Sequence, residues 1–526
     1  MRRLAALILL AMPLPAIAQM PPEHPVDEVS IDQLKLRMEK GQDSSEDITR
    51  AYLDRIARLD RKGPTLRAVI AVNPDAIAQA KASDARRKAK KLLGPLDGVP
   101  ILVKDNIETK DPIATTAGSL ALKDNVTGRD APVIALLRAQ GAVILGKTNL
   151  SEWANIRSTK SMSGWSAVGG LVRNPYALDR TSCGSSSGTG AGIAASFAAA
   201  GIGTETDGSV VCPSSMNGLV GLKPTLGMVS RTFVVPISHS QDTPGPMGRS
   251  VRDVALLFSG MIGTDPADPA TAEASKYRKD YSAGLTAASL KGVRVAVYRP
   301  DMPAALTVKF NAALDVLKAQ GAVLIDVERP KTDGMGDAEF DVLKFELKTD
   351  LDKYLAATPA AVKTRTLADV IAFDTAHSAD EMPYFAQEIF DMAAKSKGVD
   401  EATYKAQREK SLTLAKGAID GMLKQAGATI LVQPTYGAPW LSDPVYGDQF
   451  SGPSSSELPA ISGYPNLTVP MGLIRGLPVG LSFIGPAWSD EKLLQAGYVY
   501  EQASKARVAP NYAASADAGA ELGGKR

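Results

Sequence analysis

Two glycine- and serine-rich segments in the middle of the chain contain residue types that can perform acyl-transfer chemistry. The first reads Thr181-Ser-Cys-Gly-Ser-Ser-Ser-Gly-Thr-Gly190, and the second reads Gly203-Thr-Glu-Thr-Asp-Gly-Ser-Val-Val-Cys-Pro213. Such segments are often flexible linkers, but an alanine-rich stretch of helical character (191–200) joins these two inside a pattern of strands and helices. We therefore interpret them as loops whose backbone N–H groups, near a helix start, can bind an anion or an oxyanion.

One candidate nucleophile is Ser186, the central serine of Gly184-Ser-Ser-Ser-Gly188. This run matches the G-x-S-x-G elbow of α/β-hydrolases, which follows a β-strand and needs a histidine later in the chain. The preceding residues 174–180 have loop character. The downstream histidines are His239, in a loop rich in serine and proline, and His377, in a helical region. The elbow is therefore the weaker of two interpretations.

The other interpretation uses a lysine as the base. Lys104 directly follows the apolar run Val99–Val103, which predicts a buried strand. Loss of hydration there favours the neutral amine and lowers the lysine pKa, and a neutral amine can take a proton from a serine hydroxyl. Asp105 would oppose this shift, but adjacent residues of a strand face opposite sides. By position alone, a solvated surface lysine would be the simpler explanation of Lys104.

A set of motifs decides between these interpretations. Together they resemble the amidase signature family of serine hydrolases, from about Val29 to Val508, with 335–425 least covered. The N-terminal signal peptide, the TETDGS motif and Pro236–Thr243 are most similar to the exported, peptide-amidase-like branch. The motifs are GPLDGVPILVKDN (94–106), GKTNLSE (146–152), CGSSSG (183–188), TETDGS (204–209), GLVGLKPT (218–225), GYPNLTVPMG (463–472) and GLPVGLS (476–482).

The resemblance implies a Ser-Ser-Lys triad. By motif, Lys104 is the base, Ser185 is the bridging serine after a cis peptide bond, and Ser209 is the nucleophile. The separation of the serines, 209 − 185 = 24 residues, matches the family. The backbone N–H groups of Thr206, Asp207, Gly208 and Ser209 correspond to the oxyanion hole, and Ser186 becomes a supporting residue within its loop. The family implies no metal and no organic cofactor.

Two residues depart from the family pattern. Asp207 stands where a glycine is common, and we expect its carboxylate to point away from the oxyanion unless it is paired. Cys183 also replaces a glycine, and Cys212 lies three residues after Ser209. If the two serine loops touch, a disulfide between these cysteines and a pair of buried thiols are both possible. In either case we expect the cysteines to be structural.

Composition excludes several classes of protein. The 526 residues are 44% hydrophobic and 22% charged, with a net charge of +2, which argues against a disordered chain and against a nucleic-acid-binding surface. Three histidines leave little room for a histidine-rich metal site. Short apolar strands alternate with helices, which predicts an α/β fold. The family resemblance makes this a large mixed twisted sheet covered by helices on both faces.

The predicted organisation has one large domain. Residues 1–18 have the basic start, the short apolar run and the Ala16-Ile-Ala18 end of a signal peptide, cleaved after Ala18. Residues 19–27 form a linker, 28–510 an amidase domain, and 511–526 a disordered tail. Residues 335–425 are a charged helical insertion or cap. Its acidic residues Asp337, Glu339, Asp341 and Glu346 are expected to be a solvated helix face.

The predicted function is that of an exported, periplasmic or secreted enzyme. We expect an amide hydrolase that acts on C–N bonds other than peptide bonds, with a small-molecule or peptide carboxamide as substrate. Neither nucleic acid nor stable membrane insertion is expected. The alternatives are a general aliphatic or aryl acylamidase and, against the N-terminal signal, the ammonia-supplying chain of an amidotransferase.

Overall fold

The apolar segments of the sequence assemble into one mixed β-sheet. The computed structural model describes residues 25–517 and residue 519, so the predicted signal peptide and most of the predicted linker lie outside the described residues. Within the described chain the sheet has eleven strands in the order β1-β3-β2-β4-β6-β5-β10-β11-β9-β7-β8. The strands are β1 Val69–Val72, β2 Pro100–Lys104, β3 Val143–Thr148, β4 Ala200–Glu205, β5 Val220–Lys223, β6 Thr243–Gly248, β7 Arg294–Tyr298, β8 Val323–Val327, β9 Ile430–Pro434, β10 Asn466–Ile474 and β11 Leu477–Ile484.

Fifteen α-helices accompany this sheet in the described part of the chain. Several begin with a side-chain cap, such as Ser44, which accepts a hydrogen bond from the Asp47 N–H group. The helices are α1 Ile31–Glu39, α2 Ser45–Leu59, α3 Ala76–Lys88, α4 Pro132–Ala139, α5 Ser187–Ala194, α6 Val211–Met216, α7 Val251–Met261, α8 Ala304–Ala319, α9 Met335–Ala356, α10 Leu367–Ala376, α11 Ser378–Glu381, α12 Glu388–Ala394, α13 Tyr404–Ala426, α14 Glu457–Ser462 and α15 Asp490–Ser504.

Helices cover both faces of the sheet. Successive side chains of a strand point to opposite faces. Val295 and Val297 of β7 belong to the main core with Phe310 of α8. The intervening Ala296 packs in a second core with Ile419 of α13. The predicted α/β fold class, a large mixed sheet with helices on both faces, is therefore confirmed.

The alanine-rich stretch 191–200 was expected to be helical, and this expectation is wrong at its end. Helix α5 stops at Ala194, and strand β4 begins at Ala200. A Cβ atom at Gly201 would lie 2.8 Å from Thr189 Cγ2, so the strand passes too close beneath α5 for a larger residue. Glycine is therefore required at position 201, where helix α5 lies close to the strand. With glycine there, β4 lacks the alternation of apolar and polar residues by which a strand is recognised in a sequence.

Residues 335–425 contain helices α9 to α12 and most of α13, and the structure places no strand there. A separate apolar core beneath them includes Leu351, Phe390 and Trp153. The expectation of a solvated acidic face is wrong for two residues, because Glu339 and Glu346 are buried. Asp337 is exposed and Asp341 is half-buried. The loop 238–241 packs against helix α9 and supplies polar partners for the buried carboxyl groups of Glu339 and Glu346.

The C-terminal segment packs against the body beyond the predicted domain end at 510. Tyr512 is buried, and Ala513 forms a β-bridge with Ala177. The predicted start of the disordered tail at 511 is thus too early, and residues 520–526 lie outside the described chain. Over the residues that the structure describes, no helix is both long enough and apolar enough to cross a bilayer.

Candidate active site

Lys104 is the last residue of strand β2, in the interior of the sheet. Strands β3 and β4 run parallel to β2 on either side, and the lysine side chain is fully buried. Its Nζ lies 2.7 Å from Ser185 Oγ and 2.8 Å from Thr204 Oγ1, and it donates a hydrogen bond to the Thr204 carbonyl at 3.2 Å. The amine is therefore held between the end of β4 and the first serine-rich loop.

Burial changes the acid–base chemistry of this lysine. Loss of solvent lowers the pKa of Lys104 from 10.5 to about 7, and the carboxyl groups of Asp242 and Glu205 oppose that shift. The adjacent Asp105 faces another buried lysine, Lys147, with Oδ1 and Nζ 3.5 Å apart. The expectation that Asp105 turns away from the Lys104 amine is thus met. A substantial fraction of Lys104 is neutral near pH 7.

The two serine-rich loops lie in contact. The Gly184–Ser185 peptide bond is cis. The Ser186 N–H group donates to the Ser209 carbonyl at 3.2 Å. Cys183 and Cys212, one from each loop, form a disulfide, which resolves the alternative that the sequence left open. Ser185 is fully buried, whereas Ser209 retains 7% of its exposure.

Ser186 has the local environment of a structural residue. It precedes helix α5, and the residues before it form turns and loop rather than a strand. Its hydroxyl donates to the Thr204 carbonyl at 3.1 Å and accepts from the Thr204 N–H group at 3.2 Å. The strand expected in front of a nucleophile elbow is thus missing here. Ser186 instead ties α5 to the end of β4.

The loop 206–209 has the shape of an anion-binding loop. Gly208 has φ +80°, and a Cβ atom there would lie 2.3 Å from the Tyr436 hydroxyl, so glycine is required. The backbone N–H groups of Thr206, Asp207 and Ser209 donate to no acceptor within the described chain, whereas that of Gly208 faces Glu205. Three of the four predicted donors of this loop therefore have no protein acceptor.

Two buried carboxyl groups that sequence reasoning missed hold this loop in place. Glu205 Oε2 accepts hydrogen bonds from the N–H groups of Val210 and Val211, at 2.7 and 2.9 Å. Asp242 accepts one from the Thr206 hydroxyl at 2.5 Å. Burial raises the pKa of Asp242 to about 6. Glu205 lies within TETDGS (204–209) and Asp242 within Pro236–Thr243, so their positions in segments that resemble the family are the sequence signal for them.

Asp207 forms part of a cavity beside the serine loops. Burial raises the pKa of its carboxyl group to about 7, while a hydrogen bond from Ser456 opposes that shift. The cavity measures about 310 Å³. Its lining includes Gly184, Asp207, Tyr436, Trp440, Asp448 and Phe450, and we call it the acidic–aromatic cavity.

His239 does not belong to the site around Lys104. It lies in the loop 238–241, at the surface beside the helical insertion. Its ring is 47% exposed, with Nδ1 2.8 Å from Asp350. His239, Glu346 and Asp350 have ligand atoms within 4.8 Å of one another, the one such group in the described part of the chain. Glu346 already accepts hydrogen bonds from Ser238, Ser240 and Tyr404. His239 also lines a second cavity of about 700 Å³, together with Asp242 and Phe233.

Comparison with known proteins identifies relatives along almost the whole chain. A family model described as Amidase matches residues 47–494. A probable amidase of Arabidopsis thaliana is 36% identical over 504 residues, which cover 93% of this chain and 92% of the relative. A glutamyl-tRNA(Gln) amidotransferase chain of Halorhodospira halophila is 33% identical over 491 residues, covering 90% and 96%. The crystal structure of native peptide amidase from Stenotrophomonas maltophilia is 46% identical, covers 93% of this chain and 99% of its own, and superimposes with a TM-score of 0.88.

Proposed function

The chain belongs to the amidase signature family of hydrolases that act on amides, and from this premise we propose that it cleaves carboxamides with Ser209 as nucleophile and Ser185 and Lys104 as a proton relay. The observation that carries the proposal is the 2.7 Å contact between Lys104 Nζ and Ser185 Oγ. A buried lysine with a pKa of about 7 is a competent general base at neutral pH.

The proposed reaction proceeds through an acyl-enzyme. The neutral Lys104 amine takes the Ser185 hydroxyl proton while Ser185 takes that of Ser209, and Ser209 Oγ attacks the amide carbonyl carbon. Free backbone N–H groups of loop 206–209 stabilise the resulting oxyanion, at about 3 kcal/mol for each donor. Collapse breaks the C–N bond, and the relay returns the proton to the departing amine. Water then cleaves the ester along the same relay.

The proposed substrate is the C-terminal carboxamide of a peptide. The support is the similarity to peptide amidase, at 46% identity over nearly the full length of both chains. The relationship to the glutamyl-tRNA(Gln) amidotransferase chain, at 33% identity, makes glutamine deamidation a second candidate. The site of action is proposed to be outside the inner membrane, after removal of residues 1–18.

A substrate panel tests the chemistry. We expect ammonia release from peptide carboxamides to exceed release from free glutamine, free asparagine, aliphatic amides and anilides. Preferred hydrolysis of anilides would favour the acylamidase alternative, and preferred hydrolysis of glutamine the amidotransferase-like one. N-terminal sequencing of the protein from a bacterial periplasmic fraction tests export, since the mature chain should begin at Gln19.

A further inference from the structure

The acidic–aromatic cavity has an unusual balance of charge. Among the described residues that line it there are two carboxyl groups, Asp207 and Asp448, and no lysine, arginine or histidine. Three aromatic side chains, Tyr436, Trp440 and Phe450, also line it, together with neutral polar residues and the disulfide. Acidic groups and aromatic ring faces both attract cations, and no cation of the described chain lines this cavity to balance them.

The two carboxyl groups differ in their hydrogen bonds. Asp448 accepts from Trp440 Nε1 at 3.0 Å, from the Ser163 N–H group at 3.1 Å and from the Ser163 hydroxyl at 2.5 Å. Asp207 Oδ1 is buried and has no hydrogen-bond partner among the described residues. An unsatisfied carboxylate oxygen in a cavity wall is costly. The carboxyl group relieves that cost in part by taking up a proton, since its pKa is raised to about 7, and a cation in the cavity beside the partly exposed Asp207 favours the ionised form. Within the described chain Asp207 receives a hydrogen bond from Ser456 alone, whereas Asp448 receives three, so Asp207 is the carboxyl group with capacity left for a bound cation.

No cationic side chain of the described chain forms an ion pair with Asp207. Its carboxyl group experiences the negative fields of Glu205 and Glu457, and a positive one from Lys223. Lys223 is fully buried on strand β5, and its Nζ donates to the Pro224 carbonyl at 3.1 Å. Glu339 of α9 also interacts unfavourably with Asp207.

The aromatic residues form a corner rather than a stack. The Phe450 ring meets Tyr436 edge-on, with ring centroids 5.7 Å apart at 77°. It meets Trp440 in the same way, at 5.8 Å and 85°. Rings at right angles expose faces as well as edges, and a guanidinium or ammonium group binds to such faces.

We propose that the acidic–aromatic cavity binds a cationic side chain of the substrate, so that the enzyme prefers carboxamides of arginine or lysine. The inference rests on the proposed function, since it assigns the cavity to the acyl part of the same substrate. Gly184 precedes Ser185, and Asp207 lies two residues before Ser209, so an occupant of the cavity is adjacent to both serine loops. A volume of about 310 Å³ accommodates one long side chain.

The test compares N-acetyl-arginine amide with N-acetyl-citrulline amide, which has nearly the same shape but no charge. We expect kcat/KM to be about tenfold higher or more for the arginine amide than for the citrulline amide, because a hydrogen bond between two charged groups stabilises binding by that factor. In Asp207→Asn the ratio should fall close to one. Glu457→Gln removes a nearby carboxylate that does not line the cavity, and it should retain the preference.

Equal kcat/KM for the two amides in the wild type overturns the inference. An equal loss of the preference for the arginine amide in E457Q and D207N also overturns it. That result would show that the preference comes from the summed negative charge around the cavity and not from contact with Asp207. If D207N fails to fold, inhibition of the wild type decides. Methylguanidinium should raise the KM for the citrulline amide without lowering kcat, and neutral methylurea should not. Equal effects of the two probes count against the cavity.

Calorimetric binding of both amides to Ser209→Ala separates this inference from the proposed function. This variant is expected to bind substrate without turning it over. Once the absence of ammonia release shows that S209A does not turn over, tighter binding of the arginine amide supports the cationic subsite independently of the catalytic roles of Ser185 and Lys104. Equal binding contradicts the subsite even if Ser209 proves to be the nucleophile.

Discussion

Lys104 Nζ and Ser185 Oγ lie 2.7 Å apart although the residues are 81 positions apart in the chain. The sheet brings them together, because β2 ends beside β4 and the loop before α5 folds back over both strand ends. A lysine in this position is deprived of water but surrounded by hydroxyl groups. That combination allows it to take a proton from a serine at neutral pH.

The first prediction concerns pH. Because burial lowers the pKa of Lys104 to about 7, the neutral base is present above that pH and is lost below it. We expect kcat/KM to fall about tenfold per pH unit below pH 7. Lys104→Arg should be inactive at every pH between about 5 and 9, because a guanidinium remains protonated. A wild-type profile that is flat across acid pH would contradict a lysine base.

The second prediction assigns the nucleophile. Ser209→Ala should lower kcat by about 10⁴-fold or more and abolish labelling by a fluorophosphonate probe, because no acyl-enzyme can form. Ser186→Ala is the matched control. The wild-type Ser186 hydroxyl forms hydrogen bonds with the Thr204 backbone, so the variant without it should still be labelled by the probe. Labelling lost in S186A but retained in S209A would support the nucleophile elbow instead.

The third prediction concerns the disulfide between Cys183 and Cys212, which are 29 residues apart in the chain. Replacing both cysteines by serine should lower the free energy of unfolding by about 3–4 kcal/mol, the entropy of closing a loop of this length. Activity should also fall, because the bridge joins the loops that carry Ser185 and Ser209. Unfolding of the wild type with and without a reducing agent measures the effect.

The double variant provides the control for that experiment, since a reducing agent should not change its stability. A wild type whose stability and activity are both unchanged by complete reduction, verified by thiol titration, would show that the bridge does not position the serine loops.

The fourth prediction concerns a buried acid outside the site. Asp374 of α10 is fully buried, and neither carboxyl oxygen has a hydrogen-bond partner among the described residues. Burial, with the nearby Glu381, raises its pKa from 3.8 to about 8. The unfolded chain therefore ionises at lower pH than the folded chain, and stability is lost as the pH rises from about 4 to about 8.

Asp374→Asn should consequently stabilise the protein by about 1–3 kcal/mol at pH 8 and much less at pH 4. The exposed Asp380→Asn provides the matched control and should change stability little at either pH. Thermal unfolding of the three proteins at both pH values measures this difference. The same change for D374N at pH 4 and pH 8 would show that its charge is not responsible.

Much of the site follows from local sequence. The apolar run before Lys104 predicts a strand ending at that residue, and the glycines around Ser185 and Ser209 predict tight loops. These properties depend on side chains within a few positions of one another, so periodicity and motifs report them. The motifs also identify the family, which the matching of residues 47–494 confirms.

Other features depend on which segments meet in space. The pairing of Cys183 with Cys212, the hydrogen bond from Thr206 to Asp242 and the burial of Glu339 each join distant elements. The sequence did not predict strand β4. Its glycine at position 201 is required by the close packing of helix α5, so the composition of the strand depends on a neighbouring element and not on strand propensity.

The sequence by itself thus determines the family, the α/β class and the order of the reactive segments, because these are encoded in short contiguous patterns. Only the tertiary structure decides that the Lys104 amine is dehydrated, that Asp207 has an unsatisfied oxygen and that Asp207 lines the same cavity as the aromatic corner. The physical reason is that desolvation and electrostatic fields are sums over everything packed around a group, most of which is remote in sequence.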